Sequence, residues 1–431
     1  MASGLGDLRT VVISVGNELL FGSTVDTNSA WLGRELAALG LPVSRRYTVR
    51  DDADEIRAAV AAGMSCSELV LVTGGLGPTH DDITRGTVSE MLGLPLKVDP
   101  GRLLQLQERF RQRGYDVLPE ANRSQAEIPE GACVLDNPLG TAPGLAMESD
   151  GVLLVLLPGV PREMRAIFGG DLGALLRDRF SGRLAPVVHR MLHTTGVPES
   201  KLAEVIRAAF PDPAAYLGDG MSMAFLPDLR GVDLRLSVAH ASAGEAESAL
   251  NRAESALAPL VAPWRFDSES GDLAEAVLVA LRRGRNTLAV AESCTAGIVS
   301  TRLTEHAGSS DVFVGGVVAY SNGVKQALLG VTTVALESGG AVSEVVAQQM
   351  ALGVREAVGA DVGVAITGIA GPGGGSQEKP IGTVWLAVST DGGVRTECVL
   401  FTGDREAVRE RAAQAALSLV LASVGHPSSR H

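Results

Sequence analysis

The sequence predicts an α/β protein with two α/β domains and a small α+β module between them. Two observations support this prediction. Short β-branched runs alternate with helical patterns in the first third of the chain, and the same alternation returns after residue 264. The chain has 431 residues, of which 45% are hydrophobic and 51 are glycine, so it can form two or three packed domains with many tight turns.

The first predicted domain spans residues 1–170. The Asp26-Thr27-Asn28 cluster is typical of a helix N-cap, and a helix is predicted from it through Leu39. The other predicted elements are strands at Thr10–Val15, Pro42–Val49, Leu69–Thr73 and Val152–Leu157, and helices at Ala53–Gly63 and after Pro161. Strands that alternate with helices in this order predict right-handed crossovers and a parallel sheet.

Residues 171–263 are predicted to form an α+β connector or dimerisation module. Its predicted elements are strands at His189–Thr195, Met221–Leu226 and Val232–Ala239, a helix opening at Pro198 and a long helix at Gly244–Leu257. No group of titratable residues here indicates chemistry. The aspartates are expected at turns, as solvated caps: Asp212, Asp219, Asp228 and Asp233.

Residues 264–431 are predicted to form the second α/β domain. Its predicted helices are Leu273–Arg282, Ala296–His306, Ser343–Val358 and one that begins at Asp404. Its predicted strands are Thr287–Ala291, Val312–Tyr320, Val362–Thr367, Thr383–Ser389 and Arg395–Phe401. The order of elements differs from that of the first domain, so the two halves are not repeats.

Composition argues against several classes of protein. The net charge is −13 and no basic patch occurs, so direct nucleic-acid binding is not expected. The longest apolar run, Gly151 to Leu157, is too short to span a membrane, and no secretory leader is recognised. The four cysteines are far apart and form no C-x-x-C pair. We therefore expect a cytoplasmic protein without a disulfide framework or structural zinc.

Three loops of the first domain combine glycine with polar or acidic residues, and each follows a predicted strand. They are Gly16–Gly22, Thr73–Asp82 and Asn137–Gly144. Ligands of open parallel sheets bind at the carboxyl ends of strands, and backbone N–H groups of Gly74, Gly75 and Gly77 could contact a phosphate there. Asp81 and Asp82 could hold a hard divalent cation. The alternative is that the glycines only form the turn and the aspartates only cap a helix.

These loops resemble the molybdopterin-binding fold and, more closely, the CinA family. The matching motifs, in order, are Gly16–Gly22, Asp26–Asn28, Gly74–Asp82 and Leu157–Pro161. The resemblance implies an ADP-ribose pyrophosphatase that uses a divalent metal cation as cofactor. It also implies that Glu18, Asp26, Asp81 and Asp82 contact the metal or the substrate, and that Asn28 either contacts substrate or caps its helix.

In the second domain, a predicted strand runs into a loop that contains Ser293. This serine could be a nucleophile or could cap the following helix, and neighbouring Cys294 could be the nucleophile instead or a core residue. His306 is in no motif and is a poor candidate base. Lys325 is a better one if burial lowers its affinity for a proton, although it could equally be a surface charge.

A small-residue loop and two arginines complete this set. Gly371, Gly373 and Gly374 lie in a segment after the strand that ends at Thr367, and such a loop could bind a phosphate or be a mobile turn. Arg405 and Arg409 near the start of the last helix could bind the same phosphate or lie on the surface.

The same stretches resemble the nicotinamide mononucleotide deamidase family, which corresponds to the C-terminal part of CinA proteins. The resemblance implies that Ser293 is the nucleophile, Lys325 its base, Tyr320 and Thr367 positioning groups, and Arg405 or Arg409 the phosphate ligand. Ala296 replaces the second glycine that is usual in the family, which changes how closely the backbone can approach substrate. No cofactor is expected for this domain, and the protein is expected to be a homodimer.

Two other classes of function remain open at this point. One is a non-catalytic nucleotide-binding scaffold linked to DNA uptake or the damage response. The other is a molybdopterin-binding protein that leaves ADP-ribose intact.

Overall fold

The computed structural model describes residues 8–115, 117–212, 217, 220–239 and 242–424. The chain forms two compact units, the first made of residues 1–189 and 237–249 and the second of residues 190–236 and 250–431. In the described part of the chain, no helix is both long and apolar enough to cross a membrane.

Most of the first unit is an α/β layer structure. Its strands are β1 (Thr10–Val15), β2 (Val43–Val49), β3 (Leu69–Thr73), β4 (Leu96–Val98), β5 (Glu127–Pro129), β6 (Cys133–Leu135), β7 (Gly144–Ser149) and β8 (Val152–Leu157). Its helices are α1 (Asn17–Leu20), α2 (Thr27–Leu39), α3 (Ala53–Met64), α4 (Thr84–Met91), α5 (Pro100–Gln112), α6 (Glu120–Arg123), α7 (Pro161–Ile167) and α8 (Gly173–Arg179). Among the described residues, six strands form one sheet in the order β2-β1-β3-β8-β7-β6.

The α/β class is confirmed, and the predicted parallel pairing holds for β2, β1, β3 and β8. All residues of β1 and β8 are buried, as expected for strands covered on both faces. The prediction missed β7 and β6, which pair antiparallel beside β8. Asp150 and Gly151 join β7 to β8 with φ angles of 51° and 80°. An Asp-Gly pair with two positive φ values is typical of a tight hairpin turn. Because β8, β7 and β6 pair antiparallel while the other strands are parallel, the sheet is mixed.

The segment from residue 187 to 266 has a sheet of its own. Its elements are β9 (Val187–Thr194), α9 (Glu199–Ala209), β10 (Met221–Pro227), β11 (Val232–Ala239), α10 (Ala243–Val261) and β12 (Arg265–Phe266). Among the described residues, four strands pair in the order β10-β11-β9-β12.

The prediction of solvated turn aspartates in this segment was partly wrong. Asp228 does accept hydrogen bonds from the backbone N–H groups of Arg230 and Gly231, as a turn residue would. Asp233, however, lies inside β11, where a carboxylate oxygen is 3.0 Å from Nδ1 of His193. Asp219 lies outside the described residues.

The rest of the second unit is a second α/β structure. Its strands are β13 (Leu288–Glu292), β14 (Phe313–Val318), β15 (Val362–Gly368), β16 (Thr383–Thr390) and β17 (Gly393–Leu400). Its helices are α11 (Leu273–Gly284), α12 (Ile298–Thr304), α13 (Asn322–Leu329), α14 (Thr333–Gly339), α15 (Glu344–Val358) and α16 (Arg405–Val424). Among the described residues, five strands form one sheet in the order β14-β13-β15-β16-β17.

The order of these five strands brings the predicted functional segments together. β14, β13 and β15 are parallel neighbours, so the loops that follow them leave the same edge of the sheet. Ser293 follows β13, Tyr320 follows β14, and Thr367 lies at the end of β15. The sequence analysis did not predict α13, whose fourth residue is Lys325. It also did not predict that β16 pairs antiparallel with both β15 and β17.

Candidate active sites

Ser293 and Lys325 are in contact inside the second unit. Nζ of Lys325 lies 2.9 Å from Oγ of Ser293, although the two residues are 32 positions apart in the chain. Ser293 is fixed from the other side by its backbone N–H, which donates to the carbonyl of Ile366 at 2.9 Å. The side chain of Ser293 is therefore held between the end of β15 and helix α13.

Burial controls the charge of Lys325. Only 1% of this residue is exposed, and burial lowers the pKa of its ammonium group below the usual lysine range. Nζ of Lys325 also donates a hydrogen bond to the carbonyl of Ala319 at 2.7 Å. No carboxylate in the described part of the chain pairs with Lys325 to offset the cost of burying a positive charge. Burial therefore makes the neutral amine of Lys325 easier to form than that of an exposed lysine, and it is this neutral form that can accept the proton of the serine hydroxyl.

A cavity of about 200 Å³ opens onto this pair. It is lined by Ser293, Cys294, Tyr320, Asn322, Lys325, Ala341, Val342, Thr367, Gly368, Ala370 and Arg405. Thr367 is buried, and its hydroxyl donates to the carbonyl of Ala341 at 2.8 Å. Arg405 donates to the Tyr320 hydroxyl at 3.0 Å and to the carbonyl of Gly371 at 2.7 Å. The four predicted catalytic residues therefore line one cavity with Arg405.

Cys294 lines the same cavity but is poorly suited to nucleophilic attack. Burial raises the pKa of its thiol to about 11, although backbone hydrogen bonds and the nearby Lys325 act in the opposite direction. The thiolate is the reactive form of cysteine, so little of it exists near neutral pH. This favours Ser293 as the nucleophile of the loop.

The loop after Ser293 is held by Glu292, which the sequence analysis did not select. Its buried carboxylate accepts hydrogen bonds from the backbone N–H groups of Gly297, Val299 and Ser300 at 2.9, 3.2 and 2.9 Å. It also accepts one from the Ser300 hydroxyl at 2.8 Å. A negative charge at the start of a helix is stabilised by these unpaired donors, so Glu292 anchors the start of α12.

Ala296 has the backbone conformation that glycine would adopt more easily. Its φ angle is 50°, and that of Gly297 is 102°. Left-handed conformations are unfavourable for a residue with a Cβ atom. A glycine in place of Ala296 would thus relieve local strain in this chain.

Arg405 and Arg409 have different positions relative to the cavity. Arg409 does not line the cavity, and its guanidinium donates to the carbonyls of Cys294 and Thr295 at 3.1 and 2.9 Å. It therefore braces the loop that carries the nucleophile, which leaves Arg405 as the arginine that faces the cavity.

The small-residue loop contributes less to the cavity than predicted. Gly371, Gly373 and Gly374 do not line it, and the lining glycine is Gly368 at the end of β15. Gly373 and Gly374 are exposed, whereas the carbonyl of Gly371 accepts from Arg405. Lys379, at the far side of this loop, donates to the carbonyls of Gly339 and Val342. Hydrogen bonds of Arg405 and Lys379 thus hold the two ends of the loop in place.

The first unit has a cavity of about 370 Å³ at the carboxyl ends of its parallel strands. All three predicted loops contribute to its lining. Five carboxylate side chains line it, and no lysine or arginine of the described chain does: Glu18, Asp51, Asp81, Asp82 and Glu163. Asp51 and Glu163 were not selected from the sequence. The cavity is therefore strongly acidic.

Several glycines here leave room for carboxylates or backbone. A Cβ atom on Gly77 would lie 2.3 Å from a carboxylate oxygen of Asp82, and one on Gly16 would lie 2.6 Å from Glu18. Gly74 has a φ angle of 112°, and a Cβ there would lie 2.2 Å from the carbonyl oxygen of Val15. On Gly75 it would lie 2.2 Å from the Thr84 hydroxyl. Close packing against neighbouring protein atoms is therefore enough to explain why positions 74 and 75 are glycine.

The four carboxylates predicted to bind metal do not form one cluster. Asp81 and Asp82 line the larger cavity, Asp26 and Asn28 line a neighbouring cavity of about 110 Å³, and Glu18 lines both. In the described part of the chain, no three His, Cys, Asp or Glu side chains are close enough to hold a metal ion. The donor set does not fit a closed protein metal centre. It fits a cation held by one or two carboxylates and by phosphate oxygens of a ligand.

Asp26 and Asn28 have structural partners that explain their positions. Asp26 accepts from the Ser14 hydroxyl at 2.6 Å and from the backbone N–H of Ser29 at 2.9 Å, and so caps α2. Burial opposes ionisation of Asp26, but these hydrogen bonds and nearby Arg46 lower its pKa overall. Asn28 donates to the carbonyl of Gly159 at 2.7 Å and is not itself the cap.

Comparison with known proteins finds three family matches along the chain. Residues 11–176 match the family described as "Probable molybdopterin binding domain", residues 189–266 the "Damage-inducible protein CinA KH domain", and residues 270–424 the "CinA C-terminal domain". A CinA-like protein of Gemmatimonas aurantiaca is 45% identical over 408 residues, which cover 94% of each chain. The chain belongs to the CinA family. A CinA-like protein of Salinibacter ruber is 43% identical, over 95% of this chain and 98% of its own.

Solved structures of CinA proteins match the chain in part. A CinA protein of Thermoplasma acidophilum, described as of unknown function, is 37% identical and covers 40% of this chain and 99% of its own, with a TM-score of 0.37. A CinA superfamily protein of Escherichia coli is 35% identical and covers 36% of this chain and 92% of its own, with a TM-score of 0.34. The CinA-like relatives, by contrast, match nearly the full length.

Proposed function

We propose that the second unit hydrolyses the carboxamide of nicotinamide mononucleotide to nicotinate mononucleotide and ammonia. The observation that carries this proposal is the 2.9 Å contact between Nζ of buried Lys325 and Oγ of Ser293 in a cavity. A serine needs a base to attack an amide at neutral pH, and a neutral lysine can be that base. Arg405 at the same cavity supplies the charge that a nucleotide phosphate requires.

The residues divide the reaction into two acyl transfers. Oγ of Ser293 attacks the carboxamide carbon while its proton passes to Nζ of Lys325. Lys325 then returns this proton to the departing nitrogen, so that ammonia leaves and a serine ester remains. Water attacks the ester, its proton passes to Lys325, and the proton returns to Ser293 as the carboxylate product is released. Because the base must be neutral, kcat/KM should rise with pH until Lys325 is deprotonated in the free enzyme.

Ammonia release from nicotinamide mononucleotide by the full-length protein tests this function. We expect turnover in the wild-type protein and none above background in Ser293→Ala. Release that requires Cys294 but survives loss of the Ser293 hydroxyl would contradict the proposed chemistry. A protein that binds the nucleotide but releases no ammonia would support the non-catalytic scaffold instead.

For the first unit we propose hydrolysis of the diphosphate of ADP-ribose. A specific observation favours it: the glycine loop and five carboxylates line one cavity without a lysine or arginine. A diphosphate is repelled by such a surface unless cations accompany it. One or two of the carboxylates of Glu18, Asp81 and Asp82 would hold a divalent cation together with the diphosphate oxygens. Such a cation would neutralise charge that develops on phosphate oxygens during attack by water.

A chelator distinguishes the two activities in one preparation of full-length protein. We expect it to abolish ADP-ribose cleavage and to leave ammonia release from nicotinamide mononucleotide unchanged. Restoring Mg²⁺ or Mn²⁺ should restore only the cleavage. If molybdopterin binds the first unit while ADP-ribose remains intact under all of these conditions, the pyrophosphatase proposal is wrong.

A further inference from the structure

Several polar side chains of the second unit's cavity have protein partners. Ser293 pairs with Lys325, the Thr367 hydroxyl donates to Ala341, and the Tyr320 hydroxyl accepts from Arg405. Asn322 differs from these residues. It lines the cavity, is exposed to solvent, and its side-chain amide forms no hydrogen bond within the described part of the chain.

A carboxamide presents one acceptor and two donors in a single plane, and so does the side chain of asparagine. The two can pair edge to edge, with Oδ1 of asparagine accepting from the substrate N–H and Nδ2 donating to the substrate carbonyl. This pairing lies in the amide plane and leaves the face of the carbonyl carbon open to Oγ of Ser293. The backbone N–H of Ser293 cannot serve the carbonyl in the same way, because it already donates to Ile366.

The position of Asn322 in the fold suits this role. It is the first residue of α13, where the hydroxyl of the preceding Ser321 accepts from the backbone N–H of Val324 at 3.3 Å. Lys325 lies one turn further along the same helix, and residues three apart share a helix face. One helix thus presents both the base and a free amide to the cavity.

We propose that Asn322 is the specificity residue that recognises the carboxamide of the substrate. The inference rests on the proposed deamidase function and adds a reason why an amide, in preference to an ester of the same acid, is the substrate. An ester keeps the carbonyl acceptor but has no N–H for Oδ1 of Asn322. A site whose polar group is left unpaired discriminates against the analogue that lacks the partner.

The test compares nicotinamide mononucleotide with the methyl ester of nicotinate mononucleotide in full-length protein. For Asn322→Ala we expect kcat/KM for the amide to fall about tenfold or more and that for the ester to fall clearly less, since the ester loses one hydrogen bond and the amide two. For Asn322→Asp, which keeps an acceptor and loses the donor, both values should fall while their ratio stays nearer to that of the wild type.

Gln326→Ala is the matched control, because Gln326 is an exposed amide on the same helix that does not line the cavity. It should leave both values unchanged. An Asn322→Ala protein whose amide-to-ester ratio equals the wild-type ratio would overturn this inference alone, whether or not both rates had fallen. A wild-type protein that hydrolyses neither compound would overturn the proposed function and this inference together.

Discussion

The two cavities of this protein occupy equivalent places in their sheets and have opposite charge. Both lie at the carboxyl ends of parallel strands, where open α/β sheets bind ligands. The cavity of the first unit is lined by five carboxylates and no cationic side chain, whereas that of the second contains Lys325 and Arg405 and no carboxylate. The fold therefore determines where each cavity lies, and the lining residues determine its charge.

The two cavities also differ in whether the protein itself supplies the group that the proposed reaction needs. In the reaction proposed for the second cavity, buried Lys325 is the base, so we expect this reaction to need no added ion. In the first cavity, the carboxylates can bind an anionic substrate only when positive charge arrives with it. Each of the following changes tests one side of this contrast.

The largest effect is expected from removal of the serine–lysine pair. Ser293→Ala and Lys325→Met should each lower the kcat for nicotinamide mononucleotide more than about a thousandfold, and the double variant should lose little more, because both groups act in one step. Ammonia release and single-turnover kinetics measure this. Cys294→Ala should retain near-normal turnover. Losses that simply add in the double variant would show that the two groups act independently.

A smaller and selective loss is expected at the acidic cavity. Asp82→Asn should lower ADP-ribose cleavage about a hundredfold and raise the Mg²⁺ concentration required, because one ligand charge is removed. Its deamidase rate should not change. Asp54→Asn is the control, since Asp54 is an exposed residue of α3 outside the cavity. Equal cleavage by the Asp82 and Asp54 variants would remove Asp82 from the cation site.

The buried lysine should reduce stability, and the reduction should depend on pH. The pKa of Lys325 in the folded protein lies below 10.5, its ordinary value. Wild-type stability should therefore fall as pH drops from that ordinary value to the lowered one, and stay constant below it. Lys325→Met should be more stable at neutral pH by about 0.5–2 kcal/mol, and the gap should close as pH rises past 10.5.

Urea unfolding at pH 7 and at high pH measures this gap. Lys201→Met offers a comparison, because Lys201 is an exposed residue of α9 and should show no such pH-dependent gap. A gap of the same size at both pH values for Lys325→Met would mean that packing, and not charge burial, separates it from the wild type.

The smallest effect concerns the backbone beside the nucleophile. Ala296→Gly should stabilise the protein by about 1 kcal/mol or less, because the φ of 50° is unfavourable for alanine. The same substitution at Ala327, an exposed position of α13, should destabilise it by about 0.5–1 kcal/mol. Thermal unfolding of the two variants gives the opposite signs directly, and a shared sign would exclude strain at Ala296.

Much of this could be predicted from local sequence patterns. The first residues of β1, β3 and β8 match the predicted starts, because these strands are short buried runs bounded by glycine or polar residues. The chemistry of the residues and the family resemblance both indicate Ser293 and Lys325, but their contact depends on which strands are neighbours, and only the fold reveals that. The rule that loops at the carboxyl ends of strands converge would also have found Asp51, which follows β2, and Glu292, the last residue of β13.

Other features depend on side-chain direction and could not be predicted in this way. Arg405 and Arg409 are one helical turn apart, and no local pattern says that one faces the cavity while the other binds loop carbonyls. Asp26 resembles Asp81 and Asp82 as an acid near a glycine loop. The carboxylate of Asp26 accepts hydrogen bonds from Ser14 and from the start of α2, whereas Asp82, within the described part of the chain, accepts them only from Thr79 in its own loop.

The lining residues of the two cavities are completed at different stages of synthesis, because the second cavity includes the first residue of helix α16. The larger cavity of the first unit is complete once residue 163 has been made, whereas the second cavity lacks Arg405 until α16 begins. Because domains generally fold as the ribosome releases them, the acidic cavity can form on a nascent chain well before the other. A chain truncated before α16 could thus form the acidic cavity but not the complete second cavity.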